Sequence, residues 1–321
     1  MVCPKNGKII AAYQHQLFMI RHLTLLLMSG KEYFLNRYEQ LGWKHSEIKL
    51  RQTIRINNIN IDEKNIIARL KSRGAELEKI PFLKNGYWIN DAKFSMGITS
   101  EYLLGLFSIQ EAAAQIPATL FTDLKDRLVL DACAAPGGKT VQLADLMHNT
   151  GAVIALDNEK RRLTALSNHL ERCRVKNTIV YMMDARQASS LNMKFDRILL
   201  DVPCSGNFAA DRLWFNRRNM EDVERNAKLQ REILSEAARI LKDGGEIVYS
   251  TCSLEPEEGE LNIDWAIRNL NLQVETIDCY GHEALTSVFG KQLDRSISKC
   301  RRIWPDQTQG FFVSKLKRAR N

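Results

Sequence analysis

The sequence lacks the long apolar run that a membrane-spanning helix requires. Such a helix takes roughly 18–20 consecutive apolar residues, and the apolar stretch "HLTLLLM" at 22–28 is much shorter. Nothing after this stretch resembles the cleavage site of a signal peptide. We therefore expect a soluble, intracellular protein that works in the cytoplasm without contact to a membrane.

Cysteine is scarce, and its spacing suits neither metal ions nor disulfides. None of the cysteines forms a CxxC pair or has a histidine at zinc-finger spacing, so structural zinc is disfavoured. Disulfides are rare in long intracellular chains. We predict no metal site, which leaves individual thiols as core residues or nucleophiles. The seven cysteines are Cys3, Cys133, Cys173, Cys204, Cys252, Cys279 and Cys300.

Negative charge is in deficit. The chain has 46 lysines and arginines against 38 aspartates and glutamates, a formal net charge of +8. This excess is compatible with a polyanionic partner, although many basic proteins bind no nucleic acid. The length of 321 residues exceeds one average domain, so we expect a main domain and a smaller one.

The N-terminal part predicts two small units. Residues 1–50 show a helical pattern with a stop at Ser29-Gly30. Residues 51–95 predict a small α+β unit. Its predicted elements are a strand at 52–56, a helix at 62–73, a strand at 75–80, a turn at Asn85-Gly86 and a strand at 87–89.

Basic residues cluster in the unit at 51–95, near two aromatic residues. One interpretation is a solvated basic face. The other is an RNA-binding surface, where basic side chains contact phosphates and aromatic rings stack on bases. The second interpretation predicts phosphate contacts for Arg51, Arg55, Arg69 and Arg73. The other members of the cluster are Lys64, Lys71, Tyr87 and Trp88.

The remainder, 96–321, predicts a larger α/β domain. Residues 97–121 are amphipathic and predict a helix. From residue 127 onward, strands rich in Val, Ile and Leu alternate with helices, which favours a doubly wound, mostly parallel sheet. The predicted strands are "RLVLDAC", "AVIALD", "TIVYMM", "DRILLD", "EIVYSTC" and a last one near "GFFVSKL".

The turn after the first of these strands has the features of a cofactor loop. "RLVLDACAAPGGKT" leaves a strand at Asp131 and enters a helix near Lys139, and Gly137 and Gly138 permit close approach of a ligand. The loop matches neither the P-loop nor GxGxxG, which disfavours nucleoside triphosphates and dinucleotides. A tight structural turn would explain the glycines but not the polar Asp131.

Four successive strands end in or just before an aspartate: Asp131, Asp157, Asp184 and Asp201. One such residue is usually a helix cap, but four are hard to explain as caps alone. Open α/β sheets bind ligands at this edge, where an acid after the second strand can accept from ribose hydroxyls. A nucleoside cofactor without a pyrophosphate fits best, and S-adenosyl-L-methionine is the obvious candidate.

In combination these motifs resemble the Sun (Nol/Nop/Sun) family of RNA cytosine-5 methyltransferases. The resemblance runs from about residue 50 to the end of the sequence. It implies a Rossmann-like class I methyltransferase domain, S-adenosyl-L-methionine as cofactor and RNA as partner. Separately from the resemblance, we expect a monomeric protein. The stretch "SIQEAAAQIPA" looks most like the archaeal tRNA-modifying branch, so we expect tRNA as substrate, with ribosomal RNA as the alternative. The matching motifs are "DACAAPGGKT", "ALDNEKRR", "DAR", "DVPCSGNF", "STCSLEPEEGE" and "GFFVSKLKR".

The resemblance also implies roles for individual residues. Cys252, in "TCS", matches the nucleophile, and Cys204, in "PCS", matches the cysteine that assists release of the product. Asp201 matches the carboxyl group that contacts the cytosine, and Lys139 matches the lysine that reaches from the cofactor loop. The implied cofactor-binding residues are Cys133, Ala134, Ala135, Pro136, Gly137, Gly138, Lys139, Asp157, Arg162, Asp184 and Asp201.

Cytosine chemistry explains the use of two thiols. C5 is too weak a nucleophile to take a methyl group directly, whereas a thiolate that adds to C6 makes an enamine-like ring whose C5 can attack. The C5 proton and the thiolate must then leave, so one difficult step becomes two easier ones. Free cysteine is otherwise among the most buried residue types, and we expect Cys3, Cys173, Cys279 and Cys300 to be core residues.

Three other functions are compatible with parts of the pattern. DNA cytosine methylation would use Cys204 as the nucleophile and leave the "TCS" turn without a role. A non-catalytic RNA-binding assembly factor is expected to lose the cofactor loop or a cysteine, and both are intact. A small-molecule methyltransferase would need neither the basic unit nor the paired cysteines.

Overall fold

Two large sheets organise the part of the chain that this computed structural model describes, residues 30–44, 48, 50–59 and 62–318. Cys3 and the helix predicted before Gly30 lie outside these residues. The described chain begins with helix α1 (Gly30–Gln40). The ring of Phe34 on this helix lies 4.6 Å from the ring of Trp214, centroid to centroid, so α1 packs against the larger domain.

The smaller sheet is built from β1 (Thr53–Ile56), β2 (Ala75–Lys79), β3 (Gly86–Ala92) and β4 (Phe107–Ile109). It is antiparallel, with strand order β2-β3-β1-β4. Helix α2 (Glu63–Ser72) follows β1 and covers the sheet with Ile66 and Leu70, which are fully buried. The Asp62 side chain accepts a hydrogen bond from the Lys64 N–H and so satisfies one of the free donors at the start of α2.

The helix predicted for residues 97–121 is wrong. This segment forms the short helix α3 (Ser100–Leu103), strand β4 and three 3₁₀ turns, the first of which begins at Met96. Gly105 explains the break, because its φ is +71° and an added Cβ would lie 2.1 Å from the Arg172 carbonyl oxygen. A left-handed residue of this kind ends a helix. Since β4 pairs with β1, the smaller sheet extends beyond the boundary predicted at residue 95.

The larger sheet is built from β5 (Leu128–Asp131), β6 (Ala152–Asp157), β7 (Thr178–Met182), β8 (Phe195–Asp201), β9 (Leu241–Thr251), β10 (Leu272–Glu275), β11 (His282–Glu283), β14 (Arg301–Ile303) and β15 (Phe311–Arg318). Its order is β11-β14-β15-β9-β8-β5-β6-β7, and β10 pairs with β15. The strands from β5 to β9 are parallel neighbours, and β15 joins β9 in antiparallel direction. The chain runs from β5 outward to β7 and then returns to β8 on the other side, as in doubly wound sheets. The predicted doubly wound, mostly parallel sheet with a smaller N-terminal domain is therefore confirmed.

The larger domain also contains a separate pair of short strands and several helices. The strands of this pair are β12 (Ser287–Val288) and β13 (Lys291–Gln292), which pair only with each other. The helices are α4 (Gly138–Leu146), α5 (Lys160–Arg172), α6 (Trp214–Arg217), α7 (Met220–Ile240) and α8 (Glu260–Asn269).

Two members of the basic cluster are buried, so their predicted contacts with RNA are wrong. Arg55 is 2% exposed, and its guanidinium donates to Gln110 Oε1 at 2.9 Å and to the Gly138 carbonyl oxygen at 3.3 Å. It also lies 3.7 Å from an Asp145 carboxyl oxygen. Trp88 is likewise 2% exposed. Arg55 therefore joins the smaller unit to the start of α4, because a guanidinium can be buried when carbonyl and carboxyl groups surround it.

Candidate active site

The loops that carry the two paired cysteines meet at the carboxyl end of the larger sheet. β8 ends at Asp201 and β9 ends at Thr251, and these parallel neighbours place Asp201 opposite Ser250. Cys204 and Cys252 follow these adjacent strand ends. Although they are 48 residues apart in sequence, their sulfur atoms lie 3.0 Å apart.

The two thiols share a hydrogen bond, which separates their pKa values. The bond from Cys252, together with bonds from the Thr251 hydroxyl and the Gly206 N–H, lowers the pKa of Cys204 to about 7, although burial opposes the shift. The pKa of Cys252 is raised well above its ordinary value, first by its hydrogen bond to Cys204 and then by burial. As the pair ionises, it therefore carries its negative charge on Cys204 and keeps its proton on Cys252.

Asp201 lies between the cysteine loops and the cofactor loop. Lys139 Nζ donates to Asp201 Oδ2 at 2.6 Å, and the Ser250 hydroxyl donates to Oδ1 at 2.9 Å. The Lys139 side chain is 13% exposed and that of Asp201 is 31% exposed. The carboxylate is thus held at both oxygens yet remains open to a ligand, and the structure brings together all four residues predicted for catalysis.

A cavity of about 330 Å³ opens at the same sheet edge, beside Asp201 and Cys204. Six of the predicted cofactor-binding residues line it: Cys133, Ala135, Asp157, Arg162, Asp184 and Asp201. The motifs did not indicate the other residues that line the cavity besides Cys204, which are Ala132, Asn158, Met183, Ala185, Arg186, Val202, Pro203, Leu229 and Ile233. Leu229 and Ile233 are four residues apart on α7, a spacing that core residues share, so it gave no distinct signal.

Asp157 and Arg162 form one side of the cavity. An Asp157 carboxyl oxygen accepts from the Glu159 N–H at 3.1 Å, and the other lies 3.4 Å from the Arg162 guanidinium. Arg162 also donates to the Ala135 carbonyl oxygen at 2.8 Å. Asp157 is 4% exposed, so these contacts hold the carboxylate in place and leave lone pairs for a ligand hydroxyl.

Asp131 carries a carboxyl oxygen without a hydrogen-bond partner. It is 1% exposed, its Oδ2 accepts from the Thr140 hydroxyl at 2.7 Å, and its Oδ1 is unpartnered. Burial raises the pKa of Asp131 to about 7. Asp131 directly precedes Ala132, which lines the cavity, but does not line the cavity itself.

Asp184 has a local role as well as a place in the cavity wall. Its side chain accepts from the Arg186 N–H at 2.9 Å and caps the 3₁₀ helix Ala185–Leu191. The Arg186 guanidinium also hydrogen-bonds to it and lowers the pKa of Asp184. This strand end is therefore a helix cap that also faces the cavity.

The other predicted residues of the cofactor loop do not line the cavity. Ala134 packs on α5, the Pro136 carbonyl oxygen lies 3.2 Å from His169 Nδ1, and Gly138 begins α4. Gly137 has a φ of +102°, a conformation that favours glycine. These residues form the loop without lining the cavity.

The remaining cysteines separate into two groups. Cys173 and Cys300 are buried, as expected for core residues, whereas Cys279 is half-buried. Cys133 is also half-buried and lines the cavity.

Within residues 30–44, 48, 50–59 and 62–318, no helix has the length and apolar character to cross a membrane. In the same residues, His, Cys, Asp and Glu side chains form no group of three or more that could hold a metal ion.

Comparison with protein families gives two adjoining matches. The family of 16S rRNA methyltransferase RsmB/F matches residues 118–317. The N-terminal domain of 16S rRNA methyltransferase RsmF matches residues 30–112. The two matches thus cover the larger domain and the N-terminal part that holds the smaller sheet.

Individual relatives agree with these matches. The human 28S rRNA (cytosine(4447)-C(5))-methyltransferase is 34% identical over 286 residues, which are 86% of this chain and 35% of that protein. The ribosomal RNA small subunit methyltransferase F of Aeromonas hydrophila is 34% identical over 281 residues, 84% of this chain and 58% of that protein. This chain therefore spans only part of the length of these relatives.

The fold has a near counterpart among solved structures. A methyltransferase homolog protein from Pyrococcus horikoshii superimposes with a TM-score of 0.81 at 35% identity, over 92% of this chain and 97% of that one. The likeness extends over both sheets. With the family matches above, it confirms the resemblance that the motifs indicated: this chain belongs to the 16S rRNA methyltransferase RsmB/F family, which is part of the Sun family.

Proposed function

We propose that this protein transfers a methyl group from S-adenosyl-L-methionine to C5 of a cytosine in RNA through a covalent adduct. The observation that carries the proposal is the 3.0 Å contact between the Cys204 and Cys252 sulfur atoms beside Asp201. A non-catalytic factor would need no such contact. The names of the relatives support RNA as the substrate class.

In the first step Cys252 must lose its proton. The Cys204 thiolate, 3.0 Å away, can accept it as the C6–S bond forms, because bond formation at sulfur makes the Cys252 S–H more acidic. The Cys252 sulfur then forms a bond to C6 of the cytosine, and C5 takes the methyl group. Water or another base then accepts the C5 proton, the electron pair of that C–H bond reforms the C5–C6 double bond, and the C6–S bond breaks so that Cys252 leaves as a thiolate. Cys204 returns its proton to the departing Cys252 thiolate, which is how it assists release of the product.

Asp201 and Lys139 orient the base. The Asp201 carboxylate is held at both oxygens and can still accept from the exocyclic amine of a cytosine, because each oxygen has two lone pairs. Lys139 places a positive charge beside the site, where it stabilises negative charge that develops during addition and release.

The cofactor supplies a methyl group on a sulfonium sulfur, which makes that group open to attack by carbon. Asp157 would accept from its ribose hydroxyls, as acids at the end of a second parallel strand do. Cys133, Arg162 and Asp184 would enclose it as walls of the cavity.

Replacing Asp157 by alanine is expected to weaken binding of S-adenosyl-L-methionine by about 1.5–3 kcal/mol, the scale for losing a hydrogen bond to a charged group. This corresponds to roughly a 10- to 150-fold rise in Kd, which calorimetry measures. Asp243→Ala is the matched control, because the Asp243 side chain is 99% exposed. Unchanged affinity in Asp157→Ala contradicts its place at the ribose. Tighter binding of NAD than of S-adenosyl-L-methionine contradicts the cofactor class.

Two RNA classes are candidates for the substrate. The likeness to the archaeal branch predicts tRNA, whereas the names of the relatives favour ribosomal RNA. Bisulfite sequencing of total RNA from cells with and without the gene decides between them, because only methylated cytosines resist conversion. A methylated site that disappears when the gene is removed identifies the RNA substrate. If no site disappears, the proposed function is contradicted.

The exposed part of the basic cluster is proposed to hold the RNA. Arg69 and Arg73 both pair with the carboxylate of Glu101, which is 0% exposed. Removing these arginines would leave a buried carboxylate unpaired and so confound a binding experiment with lost stability. Lys64 and Lys71 are exposed and seven residues apart on α2, which places them on one face of the helix.

The variant Lys64→Ala/Lys71→Ala is expected to bind RNA less tightly. If each lysine contacts one phosphate, the slope of log affinity against log salt should flatten by roughly 0.7–0.9 per residue. Fluorescence anisotropy at several salt concentrations measures the slope, and cofactor affinity should stay unchanged. A wild-type slope and wild-type RNA affinity would mean that this face is only solvated.

A further inference from the structure

A buried carboxyl group lies behind the two cysteine loops. Glu258, on the turn before α8, has 0% exposure, and the chemistry above does not use it. Its carboxyl oxygens accept from the Ser205 N–H at 3.1 and 3.2 Å and from the Ser253 hydroxyl at 3.2 Å. Ser205 directly follows Cys204, and Ser253 directly follows Cys252. One carboxyl group therefore joins the two loops at the residues next to the two thiols.

Further contacts close this cluster and anchor it. The Ser205 and Ser253 hydroxyl oxygens lie 3.0 Å apart. Gln230, on α7, donates to Glu258 at 2.7 Å and to the Pro203 carbonyl oxygen at 2.9 Å. The loops have no regular secondary structure of their own at these positions, so the shared carboxyl group and α7 hold their backbones together.

We propose that Glu258 is a positioning residue that sets the separation of the Cys204 and Cys252 sulfur atoms by tying the two loops together. The inference rests on the proposed function, since direct proton transfer between the thiols requires them to stay in contact. Displacements of about 1 Å at a reacting group can lower rates about 100-fold. A tie between the loops at the neighbouring residues limits such displacements.

The group suits this role because it accepts from both loops at once. A carboxyl group has two oxygens with about four acceptor positions, and here the donors come from Ser205, Ser253 and Gln230. Burial is the main cause that raises the pKa of Glu258 well above its ordinary value, and the negative charge on Cys204 adds to it. The hydrogen bonds from Ser205 and Gln230 oppose this shift.

The test compares thiol reactivity in Glu258→Ala with that of the wild type. Without the acceptor the loops should separate, and Cys204 should lose the donor that lowers its pKa. Its alkylation by iodoacetamide, followed against pH by mass spectrometry, should shift its midpoint upward by about one pH unit or more. Turnover of RNA should fall about 100-fold, whereas the affinity for S-adenosyl-L-methionine should change less than about twofold, because Glu258 does not line the cavity.

A conservative variant and a matched control separate positioning from general destabilisation. Glu258→Gln keeps the reach and one acceptor oxygen, so its midpoint and turnover should lie between those of the wild type and Glu258→Ala. Glu246→Gln removes another carboxylate on the sheet that is 1% exposed, five residues before Thr251 on β9. The Cys204 midpoint should not move in this control.

A folded Glu258→Ala protein with the wild-type midpoint and turnover would overturn the proposal. If Glu258→Ala does not fold, Ser253→Ala takes its place, because it removes one donor to the same carboxyl group. An upward shift of the Cys204 midpoint in Ser253→Ala supports the proposal, and no shift overturns it. Alkylation is measured without RNA or cofactor. A wild-type protein that fails to methylate RNA would therefore refute the proposed function but would leave the alkylation result for Glu258→Ala unaffected.

Discussion

Cys252→Ala is expected to abolish methyl transfer to RNA and to form no covalent protein–RNA complex. Without this thiol no bond forms at C6, and C5 remains too weak a nucleophile to take the methyl group. The loss in turnover should be on the order of 10⁶-fold, the scale seen when a covalent nucleophile is removed. Transfer of a labelled methyl group to RNA measures turnover, and a denaturing gel detects the complex.

Cys279→Ala is the control for loss of a thiol, because Cys279 is half-buried and does not line the cofactor cavity. It should methylate RNA at the wild-type rate. Cys252→Ala should still bind S-adenosyl-L-methionine, since Cys252 does not line the cofactor cavity. Residual transfer within tenfold of the wild type would contradict the role of Cys252 as nucleophile.

Cys204→Ala is expected to accumulate a protein–RNA complex that survives denaturation. The hydrogen bond and the charge of Cys204 raise the pKa of Cys252, so their removal makes Cys252 easier to ionise and its addition to C6 can proceed. The departing thiolate then has no neighbouring proton donor, and breakdown of the adduct slows. Turnover should fall about 100- to 10,000-fold, the scale of a lost general acid.

The two variants together distinguish the RNA-type and DNA-type mechanisms. A complex that forms in Cys204→Ala and is absent in Cys252→Ala supports Cys252 as the nucleophile. The reverse pattern would make Cys204 the nucleophile, as in DNA cytosine methylation. The double variant Cys204→Ala/Cys252→Ala should form no complex in either case.

The motifs identified the residues of the candidate site because the chemistry requires particular residue types at strand ends. Cys204 and Cys252 each follow a buried apolar strand, and parallel strands end at one edge of a sheet. The distance between their sulfur atoms could not be predicted, because it depends on the strand order and register. Only the pairing of β8 with β9 places them 3.0 Å apart.

The prediction for residues 97–121 failed for a reason that the local pattern does not contain. Amphipathic spacing favours a helix there, but Gly105 packs against the backbone of Arg172, 67 residues later in the sequence. This tertiary contact requires a left-handed residue and leaves β4 free to pair with β1. Tertiary packing therefore overrode a local preference of less than about 1 kcal/mol per residue.

By itself the sequence determined the alternation of strands and helices from β5 to β9 and the last strand β15, because apolar runs and polar strand ends are local features, but it did not indicate the short strands β10 to β14. It also determined which residue types stand at the sheet edge. Only the tertiary structure decided which charged side chains are buried. Arg55 bonds to a carbonyl group 83 residues away, and Glu258 accepts from an N–H group 53 residues away. Whether a charge faces solvent depends on the surfaces that pack over it, and those surfaces come from distant parts of the chain.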